Sequence, residues 1–146
     1  MCKKIVVSAC LMGRNCKYNG GNNYNETLVN LLKDNEVIEV CPEVAAGMPV
    51  PRPAVELCKG RVIRADGSDW DEVYRQGVDA VMKQLKDEDI AFAVLQSRSP
   101  TCGVKQIYDG TFSKTLVDGK GLLAHALAEA GCKLIDVEDI EEFLKR

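Results

Sequence analysis

Residues 90–95 read Ile-Ala-Phe-Ala-Val-Leu, an unbroken apolar run. A run of that length with no polar face fits a parallel β-strand buried on both sides. Such a strand needs helices above and below it, and the neighbouring sequence supplies them. Upstream, Trp70, Val73, Tyr74, Gly77, Val78, Val81, Met82 and Leu85 keep a three- and four-residue rhythm, the signature of an amphipathic helix. Asp69 and Glu72 are spaced like a capping box at its start. Downstream, Leu122, Leu123, Ala126, Leu127 and Ala130 form a second stripe that Gly131 closes.

Ile5–Val7 and Val37–Val40 read as two further strands, with Tyr24, Leu28, Leu31 and Leu32 on one helical face between them and Asn35 as its stop. Arg61–Ala65 predicts a short edge strand before the Asp66-Gly67 turn. Lys133–Asp136 predicts a last strand, and Val137, Ile140, Phe143 and Leu144 a terminal helix capped by Asp136. Strands alternate with helices throughout. The expected fold is therefore α/β, a single domain over residues 1–146. Its architecture is a three-layer open, mainly parallel sheet with flanking helices, Rossmann- or flavodoxin-like.

Bulk properties narrow the function. A net charge of -3 argues against a nucleic-acid polymer held through its phosphates, and leaves a small-molecule substrate open. No stretch reaches membrane-spanning length, and the apolar run near the N-terminus is too short for a signal peptide. The seven cysteines are odd in number and not spaced like a small disulfide scaffold. The expectation is a cytoplasmic protein with reduced thiols, where clustered cysteines mean metal or catalysis.

Three cysteines occupy equivalent places. Cys10 follows the first strand, Cys41 ends the second, and Cys102 lies in Ser99-Pro-Thr-Cys-Gly103, just past the strand at 90–95. Parallel strands put all three at one edge of the sheet, where open α/β folds bind ligands. Each sits in a turn beside Gly or Pro. The stretch Cys41–Arg52, with three prolines and one glycine, predicts a stiff loop with neither regular helix nor interior strand. Two readings stay open for these thiols, a soft metal site and small buried hydrophobes. Structural zinc usually shows paired C-x₂₋₄-C ligands, which are absent. A four-iron cluster tolerates scattered ligands, and three cysteines leave one of its irons without a protein ligand. Cys16, in the first loop, is near enough to serve as a substitute ligand. Cys2, Cys58 and Cys132 have no motif around them and read as packing residues.

Ser8-Ala-Cys-Leu-Met-Gly13, Cys16-Lys-Tyr-Asn-Gly20, Cys41-Pro-Glu43, Gly47-Met-Pro-Val-Pro-Arg52 and Ser99-Pro-Thr-Cys-Gly103 together resemble the successive signatures of the small bacterial thiouracil desulfurase (TudS-like) family. The likeness covers essentially the whole chain, in the family's order. Its third cysteine block reads Ser-Pro-Thr-Cys where Ser-Pro-Ser-Cys is commoner, which keeps the hydroxyl. The resemblance implies a [4Fe–4S] cluster on Cys10, Cys41 and Cys102, with loss of the cluster in air as a hazard. It also implies Glu43 and Ser99 as the polar groups at the substrate. The expected activity is removal of sulfur from 2-thiouracil or a similar small thioamide as sulfide. The competing classes are a non-enzymatic cluster- or zinc-binding module for sulfide trafficking, and a metal-free cysteine nucleophile.

The last of these lacks a base, because His125 falls off the apolar stripe of its helix and reads as a surface residue. Arg52 and Arg98 read as surface arginines or as counter-charges to the cluster. Tyr18 reads as pocket wall or packing, and Asp118-Gly-Lys-Gly121 is too weak a pattern for a phosphate cradle.

Overall fold

The computed structural model describes residues 3–144. In chain order its elements are β1 (Lys4–Ser8), α1 (Glu26–Leu32), β2 (Val37–Val40), α2 (Pro42–Ala45), β3 (Val55–Cys58), β4 (Arg61–Arg64) and α3 (Asp71–Leu85). There follow β5 (Ile90–Leu95), β6 (Gln106–Tyr108), β7 (Leu116–Asp118), α4 (Leu122–Glu129), β8 (Leu134–Asp136) and α5 (Ile140–Leu144). Short 3-10 turns cover Ala9–Met12 and Val137–Asp139.

The central sheet has the order β2-β1-β5-β8, and every pair in it is parallel. Alternation along each strand sends successive side chains to opposite faces. Val6, Ala93 and Leu95 pack on one face against Val78, Val81 and Leu85 of α3 and Leu123 and Leu127 of α4. Ile5, Val7 and Val94 pack on the other against Leu28 and Leu32 of α1 and Ile140 of α5. The apolar run at 90–95 is thus an inner strand covered on both faces, as the sequence implied. β2 and β5 lie on opposite sides of β1, so the chain changes direction between β1 and β5. A crevice opens there, beyond the C-terminal ends of the strands.

The ranges of the four sheet strands, α3 and α4 follow the sequence pattern closely, whereas local details differ. Strand β4 is not an edge of the main sheet. It pairs antiparallel with β3 in a separate hairpin, and β6 with β7 in another. The first hairpin closes a third apolar cluster of Val55, Leu57, Val62 and Tyr74. The expected loop after Cys41 contains one helical turn, α2. Pro42 sits in its first turn, where a missing N–H costs nothing, and Cys41 is the N-cap. The capping box does not form, because α3 begins at Asp71 with Trp70 at the N-cap. Asp69 instead accepts the Asp71 N–H at 2.9 Å. The buried Asp71 ties the helix to the hairpin through the Val62 N–H at 3.1 Å. Helix α1 starts later than the stripe suggested, capped by Asn25 on the Leu28 N–H, so Tyr24 lies outside it; Tyr24 and Leu31 are exposed, and Leu28 and Leu32 carry the buried face. Among the described residues no helix is long and apolar enough to cross a membrane.

Helix α2 reaches α3 at Gly77. A Cβ there would lie well inside contact distance of the Pro42 carbonyl oxygen and 3.0 Å from the Ala46 Cβ. Helix propensity alone would make Gly77→Ala stabilising by about 1 kcal/mol, but the clash is with backbone and overpacking costs about 1–3 kcal/mol or more. We therefore expect Gly77→Ala to lower the thermal midpoint, as read by circular dichroism. A raised midpoint would mean that α2 is free to move away from α3.

Candidate active site

The strand ends deliver the cysteines as the topology requires. Cys10 lies in the 3-10 turn that follows β1, which Gly13 ends in the left-handed region at φ 96°. Cys41 follows β2 directly. Cys102 lies in the turn after β5, shaped by Ser99, whose Oγ accepts the N–H groups of Thr101 at 3.1 Å and Cys102 at 3.0 Å. All three line one cavity of about 540 Å³, and Cys16 lines it with them. Cys10 and Cys41 are half-buried; Cys16 and Cys102 are buried.

The thiol of Cys16 is within hydrogen-bonding reach of both Cys10 and Cys41. As donor it lowers Cys10 to about 7, and lowers Cys41, while its own proton becomes harder to remove. Asn23 Nδ2 donates to Cys10 Sγ at 3.5 Å. Cys102 lies deeper, where burial pushes it up to about 12 despite hydrogen bonds from Ser8 and Thr101. Two of the three predicted ligands, Cys10 and Cys102, thus have a hydrogen-bond donor at the sulfur, from Asn23 and Thr101.

Among the described residues no three His, Cys, Asp or Glu side chains are arranged to hold a metal ion. A lone zinc would require such a tight shell, with sulfurs about 2.3 Å from the metal. A polynuclear cluster has different needs, namely several thiolates around a wider space and donors to the sulfurs. The thiol-lined cavity fits a cluster on those grounds, with Cys10, Cys41 and Cys102 able to hold it and Cys16 alongside.

A polar network lines the same cavity. The Glu43 side chain is 13% exposed and the Arg52 side chain 3%, and their Oε2 and Nη2 atoms are 3.4 Å apart. Arg52 is therefore neither on the surface nor solvated, contrary to one sequence reading. Its Nη2 donates to the Cys16 carbonyl at 2.8 Å, and its backbone N–H donates to Tyr18 O at 2.6 Å. These bonds hold the first loop against the Pro-rich segment. Arg52 Nε is buried without a partner among the described residues. Thr101 Oγ1 donates to Glu43 Oε1 at 3.2 Å and is 3.0 Å from Ser99 Oγ. Glu43, Thr101 and Ser99 thus form one chain of hydrogen bonds from carboxylate to serine. Burial pushes the Glu43 carboxyl up, against the pull of Arg52. Tyr74, buried beside them, is pushed up to about 12, again by burial.

Of the remaining predicted residues, Tyr18 lines the cavity with half its surface exposed. Arg98 also lines it and pairs with Glu138 at 2.9 Å. His125 is exposed and pairs with Glu129, as expected of a surface residue. Gly121 gives its N–H to Gly103 O and packs on Thr101, so no phosphate cradle forms there. Cys58 and Cys132 lie outside the cavity lining, and Cys2 is outside the described residues. Sequence reasoning missed Thr101 as a link, and it assigned Tyr74 only to the helix stripe. The polar tip of Tyr74 on an apolar face was the available signal.

Comparison with known proteins identifies the family. The chain is 31% identical to the uncharacterized protein YbbK of Bacillus subtilis (strain 168), over 96% of this chain and 99% of that protein. It superposes on the solved structure of a [4Fe–4S]-dependent thiouracil desulfidase, TudS, with a TM-score of 0.88 and 31% identity, covering 96% of this chain and 94% of that one. The 2-thiouracil desulfurase family model matches residues 5–139. With the match running from β1 through the turn after β8, the chain belongs to the 2-thiouracil desulfurase family.

Proposed function

We propose that this protein is a cytoplasmic, [4Fe–4S]-dependent desulfurase that hydrolyses the C–S bond of a small thiolated nucleobase, 2-thiouracil or a close relative. The carrying observation is the convergence of Cys10, Cys41 and Cys102 on one cavity that Glu43 and Ser99 also line. These three cysteines would hold the cluster, and the bound cluster supplies a Lewis-acidic iron without a protein ligand, suited to a soft thiocarbonyl sulfur.

The reaction is balanced without an oxidant. Water adds to the thiocarbonyl carbon, hydrosulfide leaves, and the product carries a carbonyl in place of the thiocarbonyl. Glu43 is the general base toward the attacking water, and Arg52 favours its ionised form against the cost of burial. Ser99 holds a polar ring atom of the substrate. Its hydroxyl is oriented by the amides of Thr101 and Cys102, and Thr101 links it to the carboxylate.

The test is anaerobic purification with iron and sulfide analysis, followed by incubation with 2-thiouracil. Release of uracil and sulfide in equal amounts is the expected result. Cluster-loaded protein that releases no sulfide from thiolated bases would overturn the reading in favour of a non-enzymatic cluster carrier.

A further inference from the structure

Part of the cavity wall is built from two hairpins that the strand-edge chemistry does not explain. β3 contributes Glu56 to the lining; the β6–β7 hairpin contributes Tyr108, Phe112 and Lys114. The connection from Asp109 to Thr115 is a constrained turn. Asp109 Oδ1 accepts both the N–H and the hydroxyl of Thr111, at 2.9 and 2.6 Å. Hydroxyls then run from Thr111 to Ser113 at 2.5 Å and from Ser113 to Thr115 at 2.8 Å.

One carboxylate oxygen fastens this turn to the rest of the molecule. Glu56 Oε1 accepts the Gly110 N–H at 3.0 Å and the Phe112 N–H at 3.1 Å. Gly110, at φ 92°, lets the turn approach β3 closely; a Cβ there would sit 2.8 Å from the Cys58 Cα. Phe112 itself has φ 58°, which is unfavourable for a residue with a Cβ and persists only where surrounding bonds enforce it. The consequence is a large aromatic ring, left half-buried, on the cavity wall. A ring placed there only to fill space would be expected in the apolar cluster of the adjoining β3–β4 hairpin, where Val55, Leu57 and Val62 are buried and Phe112 is not found.

We propose that Phe112 is a specificity-determining residue that packs against the planar ring of the substrate, and that Glu56 is the positioning residue that holds it there. Its ligand class is a flat heteroaromatic ring, since stacking on an aromatic side chain tolerates any base face. The inference rests on the nucleobase reading above, and it adds the element that would select a ring over an open-chain thioamide.

The experiment is equilibrium binding of 5-fluorouracil, a non-reacting ring, to the cluster-loaded full chain by fluorine NMR, alongside steady-state kinetics with 2-thiouracil. Phe112→Ala should weaken 5-fluorouracil binding and raise KM by about tenfold, the range of a lost base–aromatic stack. Iron content should be unchanged, and Phe112→Tyr should restore most of the binding. Glu56→Ala should reproduce the KM effect, and Glu56→Gln, whose amide oxygen can still accept both N–H groups, should relieve it. The Glu56→Ala/Phe112→Ala double variant should be no worse than Phe112→Ala alone, because the carboxylate acts through the ring. Unchanged binding in Phe112→Ala overturns the inference, as does additivity of the two substitutions or a fall in kcat with KM constant. Wild-type protein that ignores 5-fluorouracil overturns it too. Failure of wild type to release sulfide from 2-thiouracil would instead remove the activity, so the two failures read out separately.

Discussion

Cys10→Ser, Cys41→Ser and Cys102→Ser should each give folded protein that retains almost no iron. Serine is close in size to cysteine, Cys10 and Cys41 follow strands fixed by the packed sheet, and Cys102 lies in a turn held by Ser99, so the fold should survive. What is lost is a thiolate, the donor that iron–sulfur clusters require. With one anchor removed only two of the proposed ligands remain, and the expected outcome is loss of the cluster's visible absorbance together with near-complete loss of iron and acid-labile sulfide. Cys58→Ser and Cys132→Ser, outside the cavity lining, should keep both. Cys16→Ser is the discriminating variant. Its thiol lines the cavity with those of Cys10 and Cys41, which makes it the rival of the deeper Cys102. Retention in Cys16→Ser with loss in Cys102→Ser supports the set proposed here; the reverse result would make Cys10, Cys16 and Cys41 the ligands.

The contrast between Cys102 and Cys16 also marks what a sequence can reveal. Cys10, Cys41 and Cys102 were legible because the apolar run at 90–95 demands a parallel sheet, and a parallel sheet gathers its strand ends at one edge. Cys16 was legible as a neighbour, from its place in the first loop, but how closely it joins Cys10 and Cys41 depends on how the Asn- and Gly-rich loop folds back, which no periodicity encodes. The surface reading of Arg52 failed for a related reason. Its burial follows from bonds to the Cys16 carbonyl and the Tyr18 oxygen, backbone partners that leave no residue-type signature. The short strands β3, β6 and β7, of three or four residues each, offer too few alternations to be read as strands. The cavity wall they build, including Phe112 and Glu56, was hidden for the same reason. The helical turn α2 escaped because proline usually argues against helix, and its tolerance in the first turn is the exception.

Glu43→Gln should retain the cluster and lose most turnover. The amide keeps the length of the side chain and an oxygen able to accept from Thr101, so the contact between α2 and the Cys102 turn can persist. What disappears is the capacity to take a proton from water, a contribution of about 10²–10⁴ in rate for a well-placed general base. A second effect follows from Arg52. Its guanidinium is nearly inaccessible to water, and Glu43 is the acidic partner within 3.4 Å. Removing that charge leaves a buried cation without its counter-ion, which costs about 3–5 kcal/mol when the pair is fully desolvated; the 13% exposure of Glu43 puts the expected loss at or below the lower end of that range. The thermal midpoint of Glu43→Gln should therefore fall, and turnover must be measured well below it. Glu43→Asp separates the two effects. It keeps the charge near Arg52 but withdraws it from Thr101, so it should recover more stability than activity. A Glu43→Gln protein with full cluster content and wild-type kcat would deny this carboxylate its role as base, and the proton would then need another acceptor in the cavity.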